Sequence, residues 1–138
     1  MSEPLSLIPK LVVDDADAAV DFYRRAFAAT LVERYTAGDK VVFAGLELLG
    51  SRISLKEADD ADPSPRTLGR PGVVLEITTD DPDAVADAVV AAGGSVVFAV
   101  ADQPYGSRAG RIRDPYGHEW LVQTPITLPP DEVQRRLG

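Results

Sequence analysis

Apolar positions along the chain fall into short extended runs and two amphipathic stretches, in an order that occurs twice. In the first half LIPKLVV reads as a strand, and Ala16 to Ala28 as a helix whose Ala19, Phe22, Tyr23 and Phe27 recur at spacings that form one apolar face. TLVERY, KVVFAGLELL and SRISLKE then read as three strands, separated by the turn formers Ala37-Gly38-Asp39 and Gly50. In the second half GVVLEIT is a strand, Asp83 to Ala92 a helix closed by Gly93-Gly94, and SVVFAV, SRAGRIR and EWLVQT are strands. Each half is therefore β-α-β-β-β.

A repeat in the residues accompanies the repeat in the pattern. VDDADAAVDF at Val13–Phe22 matches TDDPDAVADA at Thr79–Ala88 in a DD-x-DA core, with aspartates where exposed helix N–H groups and the helix dipole favour negative charge. A half of this size leaves one sheet face bare, so the halves are expected to pack together. The predicted class is α+β: two βαβββ modules forming curved mixed sheets with helices outside. Module 1 spans about residues 5–57 and module 2 about 72–125, within one domain of residues 1–138. Residues 58–71, rich in Asp, Pro and Gly, read as a linker, and residues 126–138 as a tail that forms a short helix or frays.

Composition narrows the function classes. A chain of 138 residues with 45% hydrophobic content has room for one substantial core, and a net charge of -8 argues against a nucleic-acid footprint. The same acidity favours solubility and suits a cationic or neutral partner. Without cysteine there is no disulfide, thiolate nucleophile or thiolate metal site. No apolar stretch is long enough to cross a bilayer, and the start MSEPLSLIPKLVV does not read as a secretion signal, so a cytoplasmic location is expected.

The only histidine and the only tryptophan lie together in RIRDPYGHEWLVQT, residues 111–124. DPYG places Asp, Pro and Gly at turn-favouring positions. A catalytic pair of His118 and Glu119 is disfavoured, because adjacent strand residues point to opposite faces; the same alternation groups Trp120 with Val122, and Glu119 with Leu121 and Gln123. Arg111 and Arg113 share a strand face, which suits either an anionic substrate or the margin of a sheet. No Ser-His-Asp arrangement is visible.

The order of VVDDADAAVDFYRRAF, GVVLEITTDDPDAVADAVVAAGG and RIRDPYGHEWLVQT resembles the vicinal oxygen chelate superfamily, which includes glyoxalase I, bleomycin-resistance proteins, fosfomycin-resistance enzymes and extradiol dioxygenases. The ending, with its TPI and DEVQRR, is most similar to the PhnB-like, glyoxalase/bleomycin-resistance-like branch. The resemblance implies a homodimer with cavities lined by the curved sheets. It also implies metal-ligand positions that fall on Ile8, Ser54 or a neighbour, Val73 or Val74, and Leu121. Aliphatic side chains lack the oxygen, nitrogen or sulfur donors a divalent cation needs, so neither metal nor cofactor is expected.

With Leu121 at a ligand position, its strand face turns to the cavity and Trp120 to the core. The same alternation puts Ile8 with Lys10, Ser54 with Lys56, and Val74 with Glu76 and Thr78 on cavity faces. Tyr105 lies where relatives place a loop over the cavity. The expected ligand-binding set is Ile8, Lys10, Ser54, Glu76, Tyr105, Glu119 and Leu121, with no catalytic residue assigned. The leading expectation is a metal-independent protein that binds a small molecule such as an antibiotic or secondary metabolite. The alternatives are a metal-independent isomerase, lyase or epimerase using Glu76 or Glu119 as general base, and a partner-binding or structural module.

Overall fold

The computed structural model describes residues 6–138, and in it the two halves follow one path. The first comprises β1 (Lys10–Val13), α1 (Ala16–Phe27), β2 (Thr30–Ala37), β3 (Lys40–Leu48) and β4 (Ser51–Glu57). After a short helix α2 (Pro65–Leu68), the second comprises β5 (Val74–Thr78), α3 (Pro82–Ala91), β6 (Ser95–Asp102), β7 (Arg108–Arg113) and β8 (Glu119–Gln123), and α4 (Pro130–Leu137) ends the chain. The fold is α+β, with two four-stranded mixed sheets ordered β1-β4-β3-β2 and β5-β8-β7-β6. In each, the strand preceding the helix pairs in parallel with the last strand of the half, and the other pairings are antiparallel.

The DD-x-DA repeat has a physical basis. Its second aspartate caps each helix: the Asp15 carboxylate accepts from Ala18 N–H and the Asp81 carboxylate from Ala84 N–H, both at 3.1 Å. Its third aspartate pairs with an arginine on a strand, Asp17 with Arg34 and Asp83 with Arg108. These forks lie in solvent and orient each helix more than they stabilise it.

The apolar face of α1 buries Ala19, Phe22, Tyr23 and Phe27 against Leu11 and Val13 of β1, Leu46 and Leu48 of β3, and Ile53 and Leu55 of β4. Burying a side chain the size of Phe22 or Phe27 is worth about 1.5–3 kcal/mol. The cluster continues without a break into Val89 of α3, Ile112 of β7, and Trp120 and Val122 of β8. The rings of Phe27 and Trp120 meet at 4.8 Å between centroids. The two halves thus share one core.

Two elements depart from the sequence expectation and one open alternative is resolved. The strand read from Leu7 starts at Lys10, because Pro9 has no N–H for a ladder, although its carbonyl still accepts from Ser54 N–H at 2.9 Å. Within residues 58–71, Ser64 is fully buried, caps α2 and donates to Asp14 at 2.7 Å, so this linker is docked on the first half. The tail takes the helical one of its two expected forms as α4, none of whose residues is buried.

Candidate functional site

The turn between β7 and β8 is a joint between the halves. Asp114, only 2% exposed, uses both carboxylate oxygens. One accepts from the backbone N–H groups of Tyr116 and His118, each at 3.0 Å, which closes the DPYG turn. The other accepts from Tyr23 Oη–H at 2.5 Å and Trp120 Nε1–H at 3.0 Å, tying α1 to β8. Burial, and then the Asp114 charge, push the Tyr23 hydroxyl well above the usual tyrosine range, and burial pushes Tyr116 up to about 12. His118 Nε2–H donates to the carbonyl of Val12 in β1 at 2.9 Å, a second bond across the halves. Gly117, at φ +91°, sits where an added Cβ would lie 2.7 Å from the backbone nitrogen of Arg66, so the linker helix can rest on the turn.

One residue past His118 the chain turns to the other face. Glu119, 7% exposed, receives Arg113 Nη2–H at 2.9 Å and Arg111 Nη1–H at 3.3 Å. Burial alone would raise its carboxyl, but the two guanidiniums outweigh it and hold Glu119 below the usual carboxylate value. The register lays out this face in rows, Val74–Glu119–Arg113–Ser95 and Glu76–Leu121–Arg111–Phe98. The Arg111 guanidinium stands 5.8 Å from the centroid of the Phe98 ring. Opposed directions for His118 and Glu119 rule out a converging pair.

A cleft of about 1180 Å³ crosses the seam between the halves. Leu48, Ile53, Ile77 and Trp120 form its apolar floor, and Ile8, Leu49, Glu47, Arg52 and Glu76 stand around it. Leu49 adopts a left-handed backbone at φ 52° in the tight turn from β3 to β4 while 57% exposed, an apolar residue where Asn or Gly is at ease. A second hollow of about 360 Å³ lies under the linker, bordered by Lys10, Val12, Leu68 and His118.

The expected site residues are thus divided among several places. Ile8 and Glu76 line the cleft, and Lys10 borders the smaller hollow with its ammonium 4.6 Å from the Phe43 ring centroid. Glu119 and Leu121 lie on the open face of the second sheet, next to Arg111 and Arg113. Ser54 is buried between Lys10 and Gly45 in the register of the first sheet, and half-buried Tyr105 lies in the loop between β6 and β7; neither lines the cleft or the smaller hollow. The Asp114 hub escaped the sequence reading. Its signal was the pair Tyr23 and Trp120, two apolar-face aromatics whose polar tips need an acceptor once buried.

Divalent-metal chemistry does not fit these residues. Of the expected ligand positions Ile8, Ser54, Val73 or Val74, and Leu121, only Ser54 carries a donor atom. Among the described residues no group of three or more His, Asp or Glu side chains is placed to hold an ion.

A family model described as the Glyoxalase/Bleomycin resistance protein/Dioxygenase superfamily matches residues 7–122. The chain belongs to this superfamily. An uncharacterised protein of Mycobacterium bovis is 36% identical to this superfamily member over 140 residues, covering 96% of this chain and 92% of the relative. The fold matches that of the PhnB protein of Bacillus cereus at TM-score 0.63 and 16% identity, covering 88% of this chain and all of the other. It also matches FosX, a fosfomycin resistance protein of Listeria monocytogenes solved with Mn(II) and sulfate, at TM-score 0.66 and 16% identity over 100% of both chains. At such identities these two similarities concern the fold alone. No helix among the described residues is long and apolar enough to cross a membrane.

Proposed function

We propose that this superfamily member is a metal-independent binding protein for an amphipathic or aromatic small molecule such as an antibiotic or secondary metabolite, and that it works as a homodimer in the cytoplasm. The observation that carries this reading is the cleft at the seam. It has an apolar floor and a few charged groups at its margin, and aliphatic Ile8 stands at a position that the resemblance assigns to a metal ligand. Dimerisation is supported by exposed apolar residues on both sheets, Val32, Tyr35 and Val42 on the first and Val74 and Val96 on the second.

Calorimetry with cationic glycopeptide antibiotics and planar metabolites, with and without a chelator, tests the reading. Saturable binding unchanged by the chelator is the expected result. No binding across a broad panel, or binding that requires stoichiometric Mn, Ni, Zn or Fe, would overturn it. Sedimentation tests the dimer, and fractionation of producing cells tests the location.

A general-base enzyme is the second reading, and the position of Glu76 in the cleft favours it. Glu119, held low by two guanidiniums, is a poor proton acceptor. Turnover that survives Glu76→Gln would remove this reading.

A further inference from the structure

We infer that the open face of the second sheet holds an oxyanion carried on a flat apolar body, with the oxyanion on Arg111 and Arg113 and the body against Phe98 and Leu121. The inference rests on the small-molecule reading above and adds a ligand class and a place: none of these four residues lines the seam cleft, whose margin they adjoin through Glu76 of the same row. It runs against the charge of the whole chain, -8, which by itself points to a cationic ligand.

The arginines sit on β7, which lies between β6 and β8 and is therefore an interior strand. Guarding a bare sheet edge, the structural reason for such charges, does not apply to them. Pairing with Glu119 does not account for both either. One carboxylate balances one guanidinium, and here two converge on it through a single bond each, one of them long at 3.3 Å. Each guanidinium presents a fork of several N–H donors matched to the spacing of carboxylate or phosphate oxygens, and among the described residues each gives one hydrogen bond to a protein acceptor, Glu119. Arg111 Nε is the buried side-chain polar atom without a partner among the described residues.

The apolar half of the arrangement is also in place. Phe98 is 63% exposed, so its ring adds little to the core, yet it stands by the Arg111 guanidinium and limits that group's motion. Leu121 lies next to Arg111 in the register and separates it from Glu76, the other carboxylate of the row. A ring laid over Leu121 and Phe98 brings an attached oxyanion to the two guanidiniums.

The test is calorimetric titration of the full chain with three probes of equal shape: 1-naphthoate, the neutral 1-naphthalenemethanol and the cationic 1-naphthylmethylammonium. Naphthoate is expected to bind about tenfold more tightly than the ammonium, with the alcohol between them. Arg111→Gln should weaken naphthoate about tenfold and leave the alcohol nearly unchanged. Arg111→Lys, which keeps a charge opposite Glu119 but loses the fork, should also weaken it. Glu119→Gln, which removes the competing carboxylate, should tighten it several-fold.

Equal or tighter binding of the ammonium overturns the anion assignment and leaves the small-molecule reading standing. A naphthoate preference unmoved by Arg111→Gln and Arg113→Gln puts the anion elsewhere and also overturns it. If no naphthalene binds while the antibiotic and metabolite panel does, this inference alone falls; if both fail, the underlying reading falls with it. A change of sedimentation in Arg111→Gln without probe binding gives the patch to a second copy of the chain.

Discussion

Asp114 and Glu119 are carboxylates in one short stretch, both almost fully buried, and they are held in opposite ways. Asp114 is closed: Tyr23, Trp120 and two backbone N–H groups occupy its oxygens, all four donors are neutral, and all belong to the joint between the halves. Glu119 is open: its donors are guanidiniums with N–H groups to spare, 29% and 48% exposed at Arg111 and Arg113. A closed polar network has spent its bonding capacity on structure, whereas an open one keeps capacity for something outside the chain. Burial alone would not have separated the two.

Removing Asp114 is the strongest way to break the contrast. Asp114→Ala strands the Tyr23 hydroxyl, the Trp120 indole N–H and two backbone donors in a buried place, at about 1–3 kcal/mol for each donor that finds no water. A loss of roughly 3–5 kcal/mol in urea unfolding is expected, a large part of a small protein's total stability. A loss under about 1 kcal/mol would show that the hub does not join the halves.

Tyr23→Phe probes the same hub more gently. At neutral pH it should cost about 1–2 kcal/mol, measured by the same unfolding. Its pH dependence has a definite sign. The native hydroxyl is raised far above the unfolded value of about 10, so its contribution is complete below that pH and is lost as pH rises above it, where only the unfolded chain ionises. Wild type should therefore lose stability above about pH 10, and Tyr23→Phe should lose less.

Glu119→Gln has the smallest expected effect on folding, under about 1 kcal/mol, because its partners are partly in solvent. Its carboxyl is lowered in the native state, so the contribution is present above the unfolded value of about 4.3 and disappears as pH falls through the native one. The stability curves of variant and wild type should converge in acid. A loss as large as that of Asp114→Ala would make Glu119 a second structural hub and erase the difference between the two carboxylates.

Much of the fold was readable because it is local. The period of Ala19, Phe22, Tyr23 and Phe27 specifies a helix face without knowledge of what it packs against, and Asp15 and Asp81 cap helices through bonds three residues away. The turn chemistry of DPYG and the alternation through His118, Glu119 and Trp120 follow from the same short-range rules. Ser64 in the linker was not readable, since its burial depends on Asp14, fifty positions earlier.

The candidate site was less legible, since it depends on which strands become neighbours. Sequence periodicity put Arg111 and Arg113 on one face and left sheet margin and anion site as alternatives; the sheet margin fell away only when β7 was placed between two other strands. Likewise the expected cavity residues Ile8, Lys10, Ser54, Glu76, Glu119 and Leu121 were grouped from strand parity around positions the resemblance implied, and Tyr105 from the resemblance alone; parity specifies a face but not what lies across from it.

By itself, then, the sequence determined the elements, their order, the superfamily resemblance and the lack of donor atoms at most of the expected metal positions, because these depend on short-range geometry and residue chemistry. Only the tertiary structure decided that Asp114 is closed and Glu119 open. That distinction depends on Tyr23 arriving from 91 residues away on one side, and on the strand register that sets two guanidiniums beside a single carboxylate on the other.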